Sequence, residues 1–239
     1  DDMAKFMIAH LSNGGPLLKP QTARLMHTPA NEALPGLNRM MLGFYEQKVN
    51  GLSPIAHNGS TYWFHSNLLL FQDKNVGLFV SMNSAGKDGA VESVRSILFR
   101  GFADRYFPAP KPPLKELATA KAHAALVAGT YGSSRVPVKN WGALIGLFGQ
   151  LKVGVDRDGK LSIPAFKTLG GAPRTWVEVA PFIWESPTDG ELLGVKLVDG
   201  KVARLVYGPG AAAVVFDPVP WYKNTAWLMP VTIASLIVI

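Results

Sequence analysis

Residues 54–71 read Pro-Ile-Ala-His-Asn-Gly-Ser-Thr-Tyr-Trp-Phe-His-Ser-Asn-Leu-Leu-Leu-Phe and hold the most informative chemistry in the chain. His57 carries an imidazole, which can serve as a proton donor or as a hydrogen-bonding group. Its bland reading is an ordinary imidazole at a strand edge. Asn58 adds an amide, and Gly59 lets another molecule approach the backbone closely. Ser60 and Thr61 bring hydroxyls that either bind a ligand or end a turn. His65 reads as a supporting or structural residue, and His10, His27 and His123 fall into no usable pattern. No spacing of ligands suits a metal ion, and no cofactor is expected. The chain has no cysteine, which excludes thiol catalysis and a disulfide framework.

The elements that must position these residues follow from periodicity. Met3, Phe6, Met7, His10 and Leu11 recur at helical spacing and predict a helix over 2–13 that Gly14-Gly15 stops. Pro20 opens a second short helix to about Met26. Met40–Val49 reads as a strand. Tyr62–Phe71 and Val76–Asn83 read as two strands joined by Gln72-Asp73-Lys74-Asn75. A long helix over 88–106 places Val91, Val94, Leu98, Phe102 and Tyr106 on one face.

Pro108, Pro110, Pro112 and Pro113 then form a stiff linker and the clearest boundary in the sequence. Beyond it the pattern changes to short strands and turns: Leu151–Val155, Lys160–Pro164, Thr175–Val179, Phe182–Glu185, Leu192–Val198, Lys201–Tyr207 and Ala212–Phe216. Asp158-Gly159, Asp189-Gly190 and Asp199-Gly200 mark hairpins between them. The expectation is a small antiparallel β barrel, because closure removes exposed strand edges. After Lys223 no charge remains, and Trp221, Tyr222 and Trp227 resemble an interfacial belt. Residues 221–239 therefore read as the first part of a transmembrane segment. The fifteen residues from Thr225 would make a helix of about 22 Å, short of about 30 Å of hydrocarbon. The formal charge of +7 is uneven, with five of the seven excess positive charges after residue 110. No basic run or basic-aromatic stripe accompanies it, so an anionic membrane surface or cell-wall polymer fits better than nucleic acid.

Several segments resemble the β-lactamase-related serine hydrolases, the superfamily of class C β-lactamases and penicillin-binding proteins. Asp2-Met3-Ala4-Lys5-Phe6 with Gly14-Gly15 is similar to the helix after that family's second motif. His57-Asn58-Gly59 resembles the Lys-Thr-Gly or His-Gly-Gly triplet of its final active-site strand. Val76–Gly86 resembles the neighbouring strand and its exit, and Arg105-Tyr106-Phe107-Pro108 resembles the end of the last helix. The resemblance covers residues 1–110, and that of the later β domain to a lipocalin-like barrel rests on pattern alone. Asn58 departs from the family's glycine or threonine and adds bulk where substrate would lie.

The resemblance implies that His57 donates a hydrogen bond or proton to the substrate carboxylate or leaving group. It implies that Asn58, Gly59, Ser60 and Thr61 border the substrate, and that a strand amide around 60–62 joins the oxyanion hole. The family's nucleophile lies in Ser-x-x-Lys at a helix start. Here Ser84-Ala85-Gly86-Lys87, Ser81-Met82-Asn83 and Tyr222-Lys223-Asn224 match its motifs in letters only. The nucleophile is therefore expected upstream of Asp1, and the chain reads as a fragment or processed product. The sequence thus predicts an α+β protein: a hydrolase portion at 1–107, a linker at 108–117, a barrel at 118–218 and an apolar C-terminal helix. It would act through an acyl-enzyme on a β-lactam, D-alanyl peptide or small ester. The expected setting is a bacterial inner membrane, with the hydrolase in the periplasm or outside the cell. The alternative is a non-catalytic, membrane-tethered ligand-binding module.

Overall fold

The computed structural model describes every residue except 138, 141–145, 147–148, 169, 209–212 and 239. Two compact units emerge. One comprises 1–32 with 38–112, and the other 33–37 with 113–239.

In the first unit α1 (Asp2–Leu11) and α2 (Pro20–His27) precede a four-stranded antiparallel sheet. Its strands β1 (Tyr45–Glu46), β2 (Ile55–Ser60), β3 (His65–Phe71) and β4 (Val76–Met82) lie in sequence order. Side chains alternate across β3, and both faces are covered. Leu68 and Leu70, with Ile55, meet Met3, Phe6, Met7 and Leu11 of α1. Leu69 and Phe71, with Ala56, meet Phe99 and Ala103 of α3 (Val91–Tyr106). Double coverage is why Leu68–Phe71 is an unbroken apolar run.

Three sequence expectations change here. The strand expected over Met40–Val49 shrinks to Tyr45–Glu46, because Gly43 at φ +77° turns the chain just before it. The run from Tyr62 to Phe71 is not one strand: residues 61–64 are a turn between β2 and β3. On α3 the buried residues are Val91, Arg95, Phe99 and Ala103. Val94, Leu98 and Tyr106, expected inside, are 39–59% exposed. The helix is rotated so that Arg95 points inward.

His10, which matched no motif, is buried beneath α1 and its Nδ1 lies 2.9 Å from Nε2 of His27. Gln72 closes the chain, its Nε2 lying 2.7 Å from His27 Nδ1. Phe6 and Phe44 pack on the imidazoles. Burial lowers both histidines from their ordinary range, and His10 lowers His27 further.

In the second unit α4 (Ala120–Val127) precedes eight antiparallel strands: β5 (Gly129–Ser133), β6 (Leu151–Val155), β7 (Leu161–Ser162), β8 (Val177–Ala180), β9 (Ile183–Glu185), β10 (Leu192–Val198), β11 (Lys201–Tyr207) and β12 (Phe216–Pro218). Their order is β7-β6-β5-β12-β11-β10-β9-β8. The expected closed barrel is corrected to a half-barrel: among the described residues the edge strands β7 and β8 do not pair. Trp176, Trp184, Tyr131, Leu193 and Leu205 fill its core. Asp199 and Gly200 both have positive φ, the conformation of the tight β10–β11 turn. Of the expected strand Ala212–Phe216, Ala212 lies outside the described residues. The strand seen there is β12.

Glu178, fully buried, organises the β8–β9 end. Its Oε1 accepts the Phe182 N–H at 2.8 Å and lies 2.6 Å from His123 Nδ1 of α4. Phe182 stacks on that imidazole and sits at φ +60°, a conformation bulky residues rarely adopt. The segment Ala33–Leu37 belongs to this unit as a strap, with Leu37 buried against Val206. Gly194 makes room for it, since a Cβ there would lie 2.2 Å from Leu34 and 3.0 Å from Leu37.

The expectation of a transmembrane segment is overturned. The last helix, Thr225–Val238, has 14 residues and contains Pro230. No helix among the described residues is long and apolar enough to cross a membrane. At about 1.5 Å per residue it reaches about 21 Å, and its start is tied to the unit: Gln150 Oε1 accepts from Thr225 N–H and Oγ1. The inner-membrane placement, with the hydrolase portion in the periplasm or outside the cell, loses its basis with the segment.

Two predictions follow from the buried polar groups. Unfolding returns His10 and His27 to about 6.5, so the unfolded chain binds protons more tightly than the folded one. The pair's contribution is present above about pH 6.5 and lost as pH falls through the lowered folded values. Thermal melts between pH 5 and 7.5 should show this fall, and His27→Gln should flatten it. Glu178→Ala strands the Phe182 amide and should cost about 3 kcal/mol in urea unfolding of the second unit.

Candidate functional site

The residues singled out in the sequence fall on the second half of β2 and on the turn after it. β2 pairs along its length with β3, placing His57 opposite Leu68, Asn58 opposite Asn67, Gly59 opposite Ser66 and Ser60 opposite His65. β1 covers only Ile55 and Ala56 on the other side. From His57 onward that edge of β2 has no strand partner among the described residues. The Gln47 N–H bonds to the Pro54 carbonyl at 3.0 Å, which fixes the parity of the ladder. By alternation the backbone groups of Asn58 and Ser60 point to the open edge and those of His57 and Gly59 to β3.

β1 is held in place by Glu46. Its fully buried carboxylate takes a bidentate bond from Arg39, Nη2 to Oε1 at 2.7 Å and Nε to Oε2 at 3.0 Å. Burial works to raise this carboxyl, yet Arg39 and Lys48 hold it below the ordinary range. The neighbouring Tyr45 reaches the open edge, where its phenol accepts a hydrogen bond from the Asn58 amide. Burial pushes that phenol up to about 12, the amide and Arg95 only partly offsetting it. Tyr45 thus stays protonated at neutral pH, with its ring 6.1 Å from that of His57.

His57 is exposed and lies on the α1 face of the sheet, with Ser66, the residue opposite Gly59. Together they line an open cavity of about 330 Å³ whose other walls include Met3, Phe6, Met26, Phe44 and Phe79. The cavity is apolar apart from one imidazole and one hydroxyl, a composition usual for small-molecule sites. Gly59 leaves room there for the Ser66 side chain as it is placed. A Cβ would stand 2.7 Å from the Ser66 hydroxyl.

Asn58 and Ser60 face the other side, toward α3, where Arg95 lies. Its side chain is buried, and Nη1 donates to the carbonyls of Gly59 (2.9 Å) and Ser66 (2.8 Å). Nη2 donates to Ser60 Oγ (3.2 Å) and pairs with Glu92. His65, buried, has Nδ1 at 3.4 Å from the same Ser60 hydroxyl. Ser60 is therefore the hub of an Arg95–Ser60–His65 network rather than an idle turn residue. Arg95 and Tyr45 are the residues that sequence reasoning missed. For Arg95 one signal existed: a lone cation in a stripe at 91, 95, 99 and 103 otherwise made of Val, Phe and Ala.

Thr61 is occupied by the turn. Its Oγ1 accepts from the Phe64 and Trp63 amides at 2.9 and 3.3 Å, and its own N–H bonds to the Phe64 carbonyl at 2.8 Å. This fixed turn thrusts Tyr62, Trp63 and Phe64 outward, 92%, 73% and 59% exposed. The Ser-x-x-Lys look-alike sits elsewhere. Ser84 Oγ accepts the Gly86 N–H in the bend after β4, and Lys87 opens a 3₁₀ turn. Serine and lysine do not share a helix face there.

No family model matches the chain, and no curated protein matches it. Among solved structures, a crystal structure of SurE superposes with TM-score 0.50 at 17% identity, over 91% of this chain and 48% of that one. A crystal structure of SurE with D-Leu gives 0.49 at 19%, over 91% and 49%. The chain spans about half the length of these SurE chains. At this identity the likeness concerns the fold alone.

Replacing Arg95 by Met keeps bulk and removes the donors, leaving the Gly59 and Ser66 carbonyls short of partners. The expected loss is about 3 kcal/mol, with faster amide hydrogen exchange confined to residues 57–67. An unchanged exchange pattern there would show that the hairpin does not depend on the guanidinium.

Proposed function

We propose that residues 1–110 supply the strand-edge half of an acyl-transfer site in a serine hydrolase of the β-lactamase-related type. The substrate is a β-lactam, a D-alanyl peptide or a small ester, and the nucleophilic serine and its lysine come from a part of the protein outside this chain. The observation that carries this reading is the edge itself. From His57 onward β2 offers an imidazole, the outward-facing Ser60 N–H and an apolar cavity, with Gly59, Ser60 and Ser66 tied from behind by Arg95.

In this reading each residue has one task. His57 donates to the leaving group or to a substrate carboxylate. Gly59 keeps the strand flat at the cavity. The Ser60 N–H, directed to the open edge, is the amide placed to meet a developing oxyanion, because the Thr61 N–H is already used within the turn. Asn58 narrows the approach on the α3 side.

The reading is tested in two arms. Residues 1–239 incubated with a fluorescent penicillin and with a fluorophosphonate should take up no label by intact mass, since a serine without its base is a poor nucleophile. A protein extended upstream through a Ser-x-x-Lys motif should be labelled stoichiometrically. There His57→Ala should lower turnover about 10²-fold while leaving the melting temperature little changed. Labelling of the shorter chain, or full turnover without His57, defeats the proposal. An extended protein that binds substrate without being labelled would instead be a non-catalytic binding module.

A further inference from the structure

The hairpin tip beside the site exposes three consecutive aromatic side chains. We infer that Tyr62, Trp63 and Phe64 form a preorganised recognition surface for an apolar side chain of the molecule bound at the His57 edge. The inference rests on the site reading above and adds the substrate class: compounds carrying an uncharged aromatic or branched aliphatic group close to the scissile carbonyl.

Three observations support it. The first is rigidity. Thr61 takes up the amides of residues 63 and 64, and its own amide bonds back across the turn. One residue earlier, Arg95 ties Gly59, Ser60 and Ser66 to α3. The tip is thus clamped at its neck and closed at its base, so little backbone freedom remains to be lost on binding. Exposed aromatic side chains on a fixed turn offer large contact area at low entropic cost.

The second is continuity with the cavity. Ser66, two residues beyond Phe64, lines the 330 Å³ space together with His57, and its remaining walls are Met, Phe, Leu and Gly. On this inference a ligand held beside His57 and the Ser60 amide directs its next substituent to the tip, which follows Ser60 directly in the chain. That substituent meets aromatic rings, and the end at the cavity meets apolar walls with one imidazole and one hydroxyl among them.

The third is charge. Between Lys48 and Lys74 the sequence contains no lysine or arginine, and its one acidic residue is Asp73. Aromatic loops that insert into anionic membranes are accompanied by basic residues that meet the headgroups. Within residues 49–73 there is none, despite the chain's net charge of +7, and the guanidinium that reaches the hairpin neck, Arg95, is buried and hydrogen-bonded. The surface therefore fits a neutral apolar group.

The test uses binding to residues 1–239 and does not depend on a nucleophile. Trp63 is observed by ¹⁹F NMR after 5-fluorotryptophan incorporation and assigned with Trp63→Phe. N-acetyl-phenylalanine and N-acetyl-leucine methyl esters should shift the Trp63 resonance saturably, and N-acetyl-glycine methyl ester should bind at least tenfold more weakly. Trp63→Ala should erase that preference without moving the melting temperature, because the side chain is exposed. Equal binding of all three esters, or a preference unaffected by Trp63→Ala, overturns the inference. So does broadening of the resonance by phosphatidylglycerol vesicles or by raised protein concentration without any response to the esters. A preference that appears here in a protein whose extended form is never acylated would keep the recognition surface and reject the hydrolase.

Discussion

A buried guanidinium is stabilised where its donors meet acceptors, and Arg95 meets three oxygens of the hairpin that carries the candidate site through its two terminal nitrogens. Removing such a group from water costs several kcal/mol, so α3 and the β2–β3 neck must sit where those bonds form. That requirement accounts for the rotation of α3, which turns Phe99 and Ala103 to the sheet and leaves Val94 and Leu98 outside. It also fixes the carbonyls of Gly59 and Ser66, and through them the direction in which the Ser60 amide and the His57 ring face. Packing alone would tolerate small slips of this hairpin. A hydrogen-bonded cation tolerates few.

The same solution recurs at other joints. A chain without cysteine has no covalent cross-link, and here loops are pinned by paired polar side chains instead. Arg39–Glu46 holds β1 beside β2, and His10, His27 and Gln72 link α1 and α2 to the end of β3. Arg174–Asp189 and His123–Glu178 secure turns of the second unit. Each bond places backbone at a definite spot, and none requires a large core. Such devices are sensitive to pH or to loss of one partner, because the surviving partner is left without its compensation.

What could be read from the residues was whatever depended on local pattern. The face of α1 was visible in its spacing, and Leu192–Val198 with Lys201–Tyr207 was visible in alternation around Asp199-Gly200. The break at 61–64 was hidden because Tyr, Trp and Phe favour strands and the turn is made by a threonine hydroxyl, with no glycine or proline to announce it. Arg95 was hidden because two of its partners are backbone carbonyls some thirty residues away, and carbonyls leave no trace in a sequence. The half-barrel looked like a closed barrel because turn spacing counts strands but does not say whether the first and last of them meet. His57 through Thr61 were legible as residue types. That Thr61 is spent on a turn, and that Tyr45 reaches the Asn58 amide, depends on tertiary placement.

The strap Ala33–Leu37 gives the chain an unusual topology. A nick in the linker leaves the two units on separate pieces of chain, yet the upstream piece still contributes Leu34 and Leu37 to the core of the downstream unit. The two pieces are then a complementing pair, held by an interface in which a glycine was left vacant for a leucine. Separating them would require that core to open, so a nicked molecule would migrate as one species under native conditions and as two under denaturing ones. Scission at the linker need not release either half.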